Sequence, residues 1–178
     1  MLDQTIYLSL GGNIGDRAAM LKQAVITIAQ IPNIRDFEIS SFYETSPFEV
    51  GNIPQCDFLN AVCRFKTGLS AVQIWSCLQR IEQKLGKIAK PKNAPRAIDI
   101  DILFFGNERQ LPNAQNNLEI PHPRWRERLF VIIPLLELTN TVTIPCDDGS
   151  GSDEIVDLVK LRESLLNGNS QYVKQFNS

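Results

Sequence analysis

Between Thr5 and Leu10 the side chains alternate, several of them β-branched or aromatic, which predicts a strand. Gly11-Gly12-Asn13 breaks it, and the apolar period then changes. Leu21, Ala24, Val25 and Ile28 recur at helical spacing within residues 16–30, with Asp16 placed to cap the first turn. A second strand is expected over 34–43. Residues 44–56 hold two prolines and a glycine and read as a long loop, a type that is often functional in compact domains. A third strand is expected at 58–65. Val72, Trp75, Leu78, Ile81 and Leu85 mark a helix over 69–85 that Gly86 ends. Residues 87–95 form a second loop, and 97–105 a fourth strand. A short edge strand at 118–120 precedes Pro121-His122-Pro123, which forces a bend. Residues 124–138 are helical in part, interrupted by Pro134. From Thr139 the pattern weakens, with a short helix expected at 153–166.

Strand, helix, strand, strand, helix, strand is the ferredoxin-like order. It predicts an α+β fold, an antiparallel sheet with helices on one face, plus extra C-terminal elements. The 178 residues fit one domain over 1–178, with 139–178 as a peripheral extension. Composition changes this picture little. A net charge of -2 offers no general attraction for nucleic acid or an anionic membrane, so an anion site must come from local clustering. No apolar run approaches the ~20 residues of a membrane span. Met1-Leu2-Asp3-Gln4 lacks the basic start of a signal peptide, so a cytoplasmic protein is expected. Cys56, Cys63, Cys77 and Cys146 form no CxxC pair and the chain has one histidine, so reduced thiols are expected and a zinc site is not.

The candidate chemistry lies in the fourth strand. Asp99 and Asp101, two residues apart, share one face, while Ile98, Ile100 and Ile102 point to the other. Like charges so placed repel, and a bound divalent cation removes that cost. Spacing alone fits a magnesium site or a solvated polar face. Lys84, Lys87, Lys90, Lys92 and Arg96 upstream, with Arg124, Arg126 and Arg128 downstream, supply the positive charge that a polyphosphate needs, although solvated basic loops are common. There is no GxxxxGK[ST] loop and no protein-kinase signature set.

These features together resemble the 6-hydroxymethyl-7,8-dihydropterin pyrophosphokinase family, from about Ile6 to about Leu136. The resemblance is carried by Leu10-Gly11-Gly12-Asn13, Ser41-Phe42-Tyr43-Glu44-Thr45, Phe58-Leu59-Asn60-Ala61, Gln79-Arg80-Ile81-Glu82, Pro95-Arg96-Ala97-Ile98-Asp99-Ile100-Asp101 and Ile120-Pro121-His122-Pro123-Arg124. It implies transfer of the β,γ-diphosphate of ATP to the pterin hydroxymethyl group, leaving AMP. Two magnesium ions on Asp99 and Asp101 are implied, with Arg96 and Lys87 as further catalytic residues. The pterin would stack between Phe58 and Phe130, meet Asn60 at its amide-like edge, and be enclosed by Gly11, Thr45, Ser46 and Phe48. From the residues alone, core packing of the two phenylalanines and a structural role for Asn60 stay open. The ATP site would comprise Gln79, Glu82, Lys87, Arg96, His122 and Arg128, with Ile102 and Ile120 near the adenine. For His122, a phosphate or ribose contact is expected rather than a general base.

One loop departs from the family pattern. Where members often carry Arg-Trp-Gly-Pro-Arg, this chain has Lys92-Asn93-Ala94-Pro95-Arg96, in a loop that is also shorter. The two earlier loop arginines fall on Lys87 and on either Ala89 or Lys90. Lysine lacks the bidentate fork of arginine, so less specific closure over ATP and slower turnover are expected. The alternatives are a weakly catalytic pterin- or nucleotide-binding paralogue, and an RNA-binding module of the same topology. The latter needs an RNP-like aromatic run, which the chain lacks. The expected partners are ATP and the pterin, with no nucleic acid and no membrane, in a monomer.

Overall fold

The computed structural model describes residues 3–48, 54–87, 94–146, 151–167 and 171–177. Strand β1 (Gln4–Gly12) is central, antiparallel to β4 (Phe58–Thr67) on one side and to β5 (Asp99–Phe105) on the other. Across β4 lie β2 (Ile34–Ile39) at one end and β3 (Tyr43–Thr45) at the other. The expected strand over 34–43 is therefore two strands. Ser40 sits between them, and its hydroxyl accepts from Val62 N–H on β4. β8 (Val173–Gln175) pairs with β3 at the sheet edge.

Helices α1 (Arg17–Ala29) and α2 (Ala71–Lys84) cover one face. Asp16 accepts a hydrogen bond from Ala19 N–H, and Ser70 forms a capping box with Gln73, which fixes both helix starts. α2 ends before Gly86, whose φ of +87° is costly for other residues. Leu21, Ala24 and Ile28 of α1, with Ile74, Leu78 and Ile81 of α2, bury against Ile6, Leu8, Leu59, Phe65 and Ile100. The alternating isoleucines of β5 thus face the core, as their spacing predicts.

A second core forms on the other face. α3 (Leu129–Leu136) packs Val131, Ile132 and Leu135 against Val62, Leu103 and Phe104. The hairpin β6 (Thr141–Ile144) and β7 (Glu154–Asp157), with α4 (Leu158–Leu166), adds Val142, Val156 and Leu158. A bulge allows this packing: Tyr7 pairs with Phe104 and Leu8 with Ile102, leaving Leu103 as the extra residue. Leu103 and Phe104 consequently both join the second core. The helix expected at 153–166 begins only at Leu158, because Asp157 accepts from Val159 and Lys160 N–H and caps it there. The strand expected at 118–120 is a single bridge between Ile120 and Gln110. Among the described residues, no helix is long and apolar enough to cross a membrane.

Candidate functional site

Strand register sets the floor of a cleft on the second face. Gly11 lies between Asn60 on β4 and Asp99 on β5; Ser9 lies between Val62 and Asp101. Alternation puts these side chains on one face. Gly11 leaves a gap between Asn60 and Asp99, and a Cβ there would stand 2.4 Å from Asn60 Oδ1. At Gly12 a Cβ would come within 2.2 Å of the Ala97 carbonyl oxygen. Asn13 then ties two loops together. Its N–H donates to Arg96 O at 2.9 Å, and its Oδ1 accepts from Arg96 N–H at 2.8 Å. Its Nδ2 donates to Gln55 Oε1 at 2.9 Å and to Cys56 O at 3.3 Å.

The cleft is open to solvent at its mouth. On the β4 side it is lined by Thr45, Ser46, Phe48, Phe58, Asn60 and Phe130. Asn60 is buried and donates from Nδ2 to Thr45 Oγ1 at 2.8 Å, which leaves Oδ1 over Gly11. Phe48 meets Phe130 edge to face at 6.5 Å between centroids. Together with Gly11, every residue expected around the pterin lines this one cleft.

The β5 side is charged. Asp99, Asp101, Arg96, Arg124 and Arg128 line it. Asp99 accepts from Lys87 Nζ at 2.9 Å on one oxygen and from Arg96 Nη1 on the other. Burial pushes its carboxyl up, but Arg96 and Lys87 outweigh that and hold it below the ordinary value. Among the described residues, the cation nearest Asp101 is farther off, Arg128 Nη1 at 3.9 Å. Burial in the cleft, then the like charge of Asp99, push its carboxyl up to about 6. Among the described residues, the two carboxylates thus differ because Asp99 is hydrogen-bonded by Lys87 and Arg96 while Asp101 meets Arg128 only at 3.9 Å.

Behind them, Glu82 is fully buried on α2. Its Oε1 accepts from Lys87 Nζ at 2.7 Å and from Ile100 N–H at 2.8 Å, and its Oε2 accepts from Gln79 Nε2 at 3.1 Å. Burial pushes its carboxyl up to about 7 against those donors. Glu82 therefore grips Lys87 and β5 from behind and does not open into the cleft. Ile102 and Ile120 are buried in the first core.

His122 follows a cis Ile120–Pro121 bond, and its N–H donates to Leu103 O at 3.0 Å. Its Nδ1 faces Arg124 N–H at 3.1 Å. Nε2 lies 3.8 Å from Asp101 Oδ2 and 3.3 Å from Arg128 Nη1. Burial and Arg128 push the imidazole down to about 4, so it is neutral at pH 7. Two guanidinium Nε atoms, on Arg96 and Arg128, are buried with no hydrogen-bond partner among the described residues.

The structure also brings in residues given no role above. Ser9 lines the cleft beside Asp101, and alternation along β1 carries that signal. Arg124 lies in the basic run already noted. Gln171 has no local sequence signal at all. Ala89, Lys90, Lys92 and Asn93 lie outside the described residues.

Residues 7–140 match the family described as 7,8-dihydro-6-hydroxymethylpterin-pyrophosphokinase. The 2-amino-4-hydroxy-6-hydroxymethyldihydropteridine pyrophosphokinase of Bacillus subtilis (strain 168) is 40% identical over 141 residues, covering 79% of this chain and 81% of that protein. The protein of the same name from Haemophilus influenzae is 36% identical over 157 residues, covering 88% and 91%. A solved structure of wild-type Plasmodium falciparum HPPK-DHPS superposes with a TM-score of 0.64 at 12% identity, covering 93% of this chain and 44% of that one. This chain spans less than half of that larger protein, and the likeness concerns the fold. Its alignment over most of two curated relatives settles the grouping: the chain belongs to the 7,8-dihydro-6-hydroxymethylpterin-pyrophosphokinase family.

Proposed function

We propose that the family's reaction, transfer of diphosphate from ATP to the hydroxymethyl group of 6-hydroxymethyl-7,8-dihydropterin, takes place in this cleft. The observation that carries the reading is the juxtaposition on one floor: an aromatic and amide end against a two-carboxylate, arginine-lined end, separated only by Gly11. Phe58 and Phe130 hold the pterin faces, Asn60 its polar edge, and Thr45, Ser46 and Phe48 the surrounding wall. The hydroxymethyl group then points across Gly11 toward the acidic strand.

Asp99 and Asp101 are the magnesium ligands in this reading. Among the described residues no third His, Cys, Asp or Glu joins them. Two carboxylates, with phosphate and water completing the shell, suit magnesium, which seldom takes an all-protein cage. Two magnesium ions held by these carboxylates would supply neutralisation of phosphate charge. The chain's own residues do the rest. Lys87 and Arg96 exchange Asp99 for phosphate oxygens, and the unpartnered Nε–H groups of Arg96 and Arg128 gain acceptors. His122 stays a neutral imidazole and takes no proton. Glu82 and Gln79 position Lys87 and β5. The new bond joins the hydroxymethyl oxygen to the β-phosphorus, its proton passes to water in the open cleft, the β-phosphorus bond to the bridging α-phosphate oxygen breaks, and AMP leaves carrying that oxygen. Catalysis is then largely positioning and electrostatics. The wider reading is a cytoplasmic monomer with one domain over 1–178.

The test is AMP release from purified protein given ATP, magnesium and the pterin alcohol. AMP well above a metal-free control is expected, and Asp99→Ala should remove it. AMP formation no greater than in that control would defeat the proposal.

A further inference from the structure

The family match ends at residue 140, yet the cleft does not. Gln171, thirty-one residues farther on, is buried in its wall. It is brought there by β8, which pairs Thr45 with Val173, Glu44 with Lys174 and Tyr43 with Gln175. Just beyond that ladder, the chain grips Ser46. Gln171 Nε2 donates to Ser46 O at 3.2 Å, Tyr172 N–H donates to Ser46 Oγ at 3.3 Å, and Ser46 N–H donates to Tyr172 O at 3.3 Å. The Tyr172 hydroxyl donates to Asp57, next to Phe58. Arg17 braces the same corner, donating to Asp57 O and Glu44 Oε1, both at 2.7 Å.

We infer that Gln171 is a positioning residue for the pterin end of the cleft, acting through Ser46, with Tyr172 holding Phe58 through Asp57. Ser46 and Phe48 follow a strand of only three residues, and Phe48 has its edge-to-face contact with Phe130, so the clamp is the main hold on Ser46 beyond β3 among the described residues. Among the described residues, the clamp's hydrogen bonds fall on the β3 and β4 side of the cleft. Arg96, Asp99 and Arg128 have no bond to it among the described residues. It should therefore set pterin affinity and leave ATP affinity unchanged.

The inference rests on the reading that this end takes the pterin, so the experiment separates the two. Pterin KM, ATP KM and melting temperature are measured for wild type, Gln171→Ala, Gln171→Glu, Tyr172→Phe and Phe58→Ala. Gln171→Glu keeps the shape but loses the donor to Ser46 O. If the donor matters, Glu and Ala variants both raise the pterin KM roughly three- to tenfold, the worth of one hydrogen bond. ATP KM stays within about twofold, and Tyr172→Phe shows a smaller rise of the same kind. A Gln171→Glu enzyme with wild-type pterin KM, beside an impaired Phe58→Ala, overturns the inference and leaves the pterin reading standing. So does an equal rise in both KM values with a lowered melting temperature, which marks a merely structural residue. Wild-type pterin KM in Phe58→Ala overturns the pterin reading, and this inference with it.

Discussion

Replacing Asp101 with asparagine should stabilise the ligand-free protein while removing its activity. The carboxyl rises from 3.8 to about 6 because burial and then Asp99 disfavour its charge. The folded state therefore holds more proton than the unfolded chain between these values. The stability from this group is complete below pH 3.8 and lost as pH climbs to about 6. Above that, the ionised carboxylate costs the fold about 3 kcal/mol before screening. Its side chain is 41% exposed to water in the cleft, so the effective cost is nearer about 1 kcal/mol. Asparagine keeps the shape and removes the charge. At pH 7.5 with chelator, Asp101→Asn should melt about 2–4 °C above wild type. The advantage should shrink steadily as pH falls from about 6 and vanish only well below pH 3.8, where wild-type Asp101 is protonated in both states. Asp99→Asn should do the reverse and lower the melting temperature, since Arg96 and Lys87 favour its charged form. Adding magnesium and ATP should then raise wild type above Asp101→Asn by mass action. If Asp101→Asn melts at or below wild type in chelator at pH 7.5, or keeps its full advantage at pH 4, the electrostatic reasoning is refuted.

Gly11→Ala places a Cβ 2.4 Å from Asn60 Oδ1, so Asn60 must leave its bond to Thr45 or the strands must part. A rise in pterin KM of at least about fivefold is expected with ATP KM little changed, in line with overpacking costs of about 1–3 kcal/mol; an unaltered pterin KM would show that Asn60 is not read as described. The single histidine gives a clean spectroscopic check. In ligand-free protein its NMR resonance should titrate near 4, because burial and Arg128 disfavour the imidazolium; a midpoint near 6.5 would place His122 in water, outside the packed turn.

How much of this was legible beforehand depends on the range over which each signal acts. β1, α1, β4, α2 and β5 are set by local alternation, helical spacing and caps such as Asp16 and Ser70, and they appear where the sequence puts them. The face shared by Asp99 and Asp101 was equally local, since it follows from β5 alone. What single strands could not reveal was register. That Gly11 would stand between Asn60 and Asp99, and so become the floor, depends on three strands separated by long stretches of chain. Glu82 shows the opposite limit. Its place in a family motif suggested a contact with ATP, but only the fold shows its oxygens already engaged by Lys87, Ile100 and Gln79. The second core was hidden for another reason. Val142, Val156 and Leu158 come from short elements whose outward residues, such as Ile155 at 71% exposure, blur any amphipathic pattern. Gln171 carries no pattern whatever, because a buried amide gains meaning only from the strand that delivers it. The weakly patterned C-terminus therefore covers one face of the sheet and walls one end of the cleft. Motifs find the charged end of the cleft and most of its aromatic end; Gln171, which completes the wall there, is found only through strand pairing.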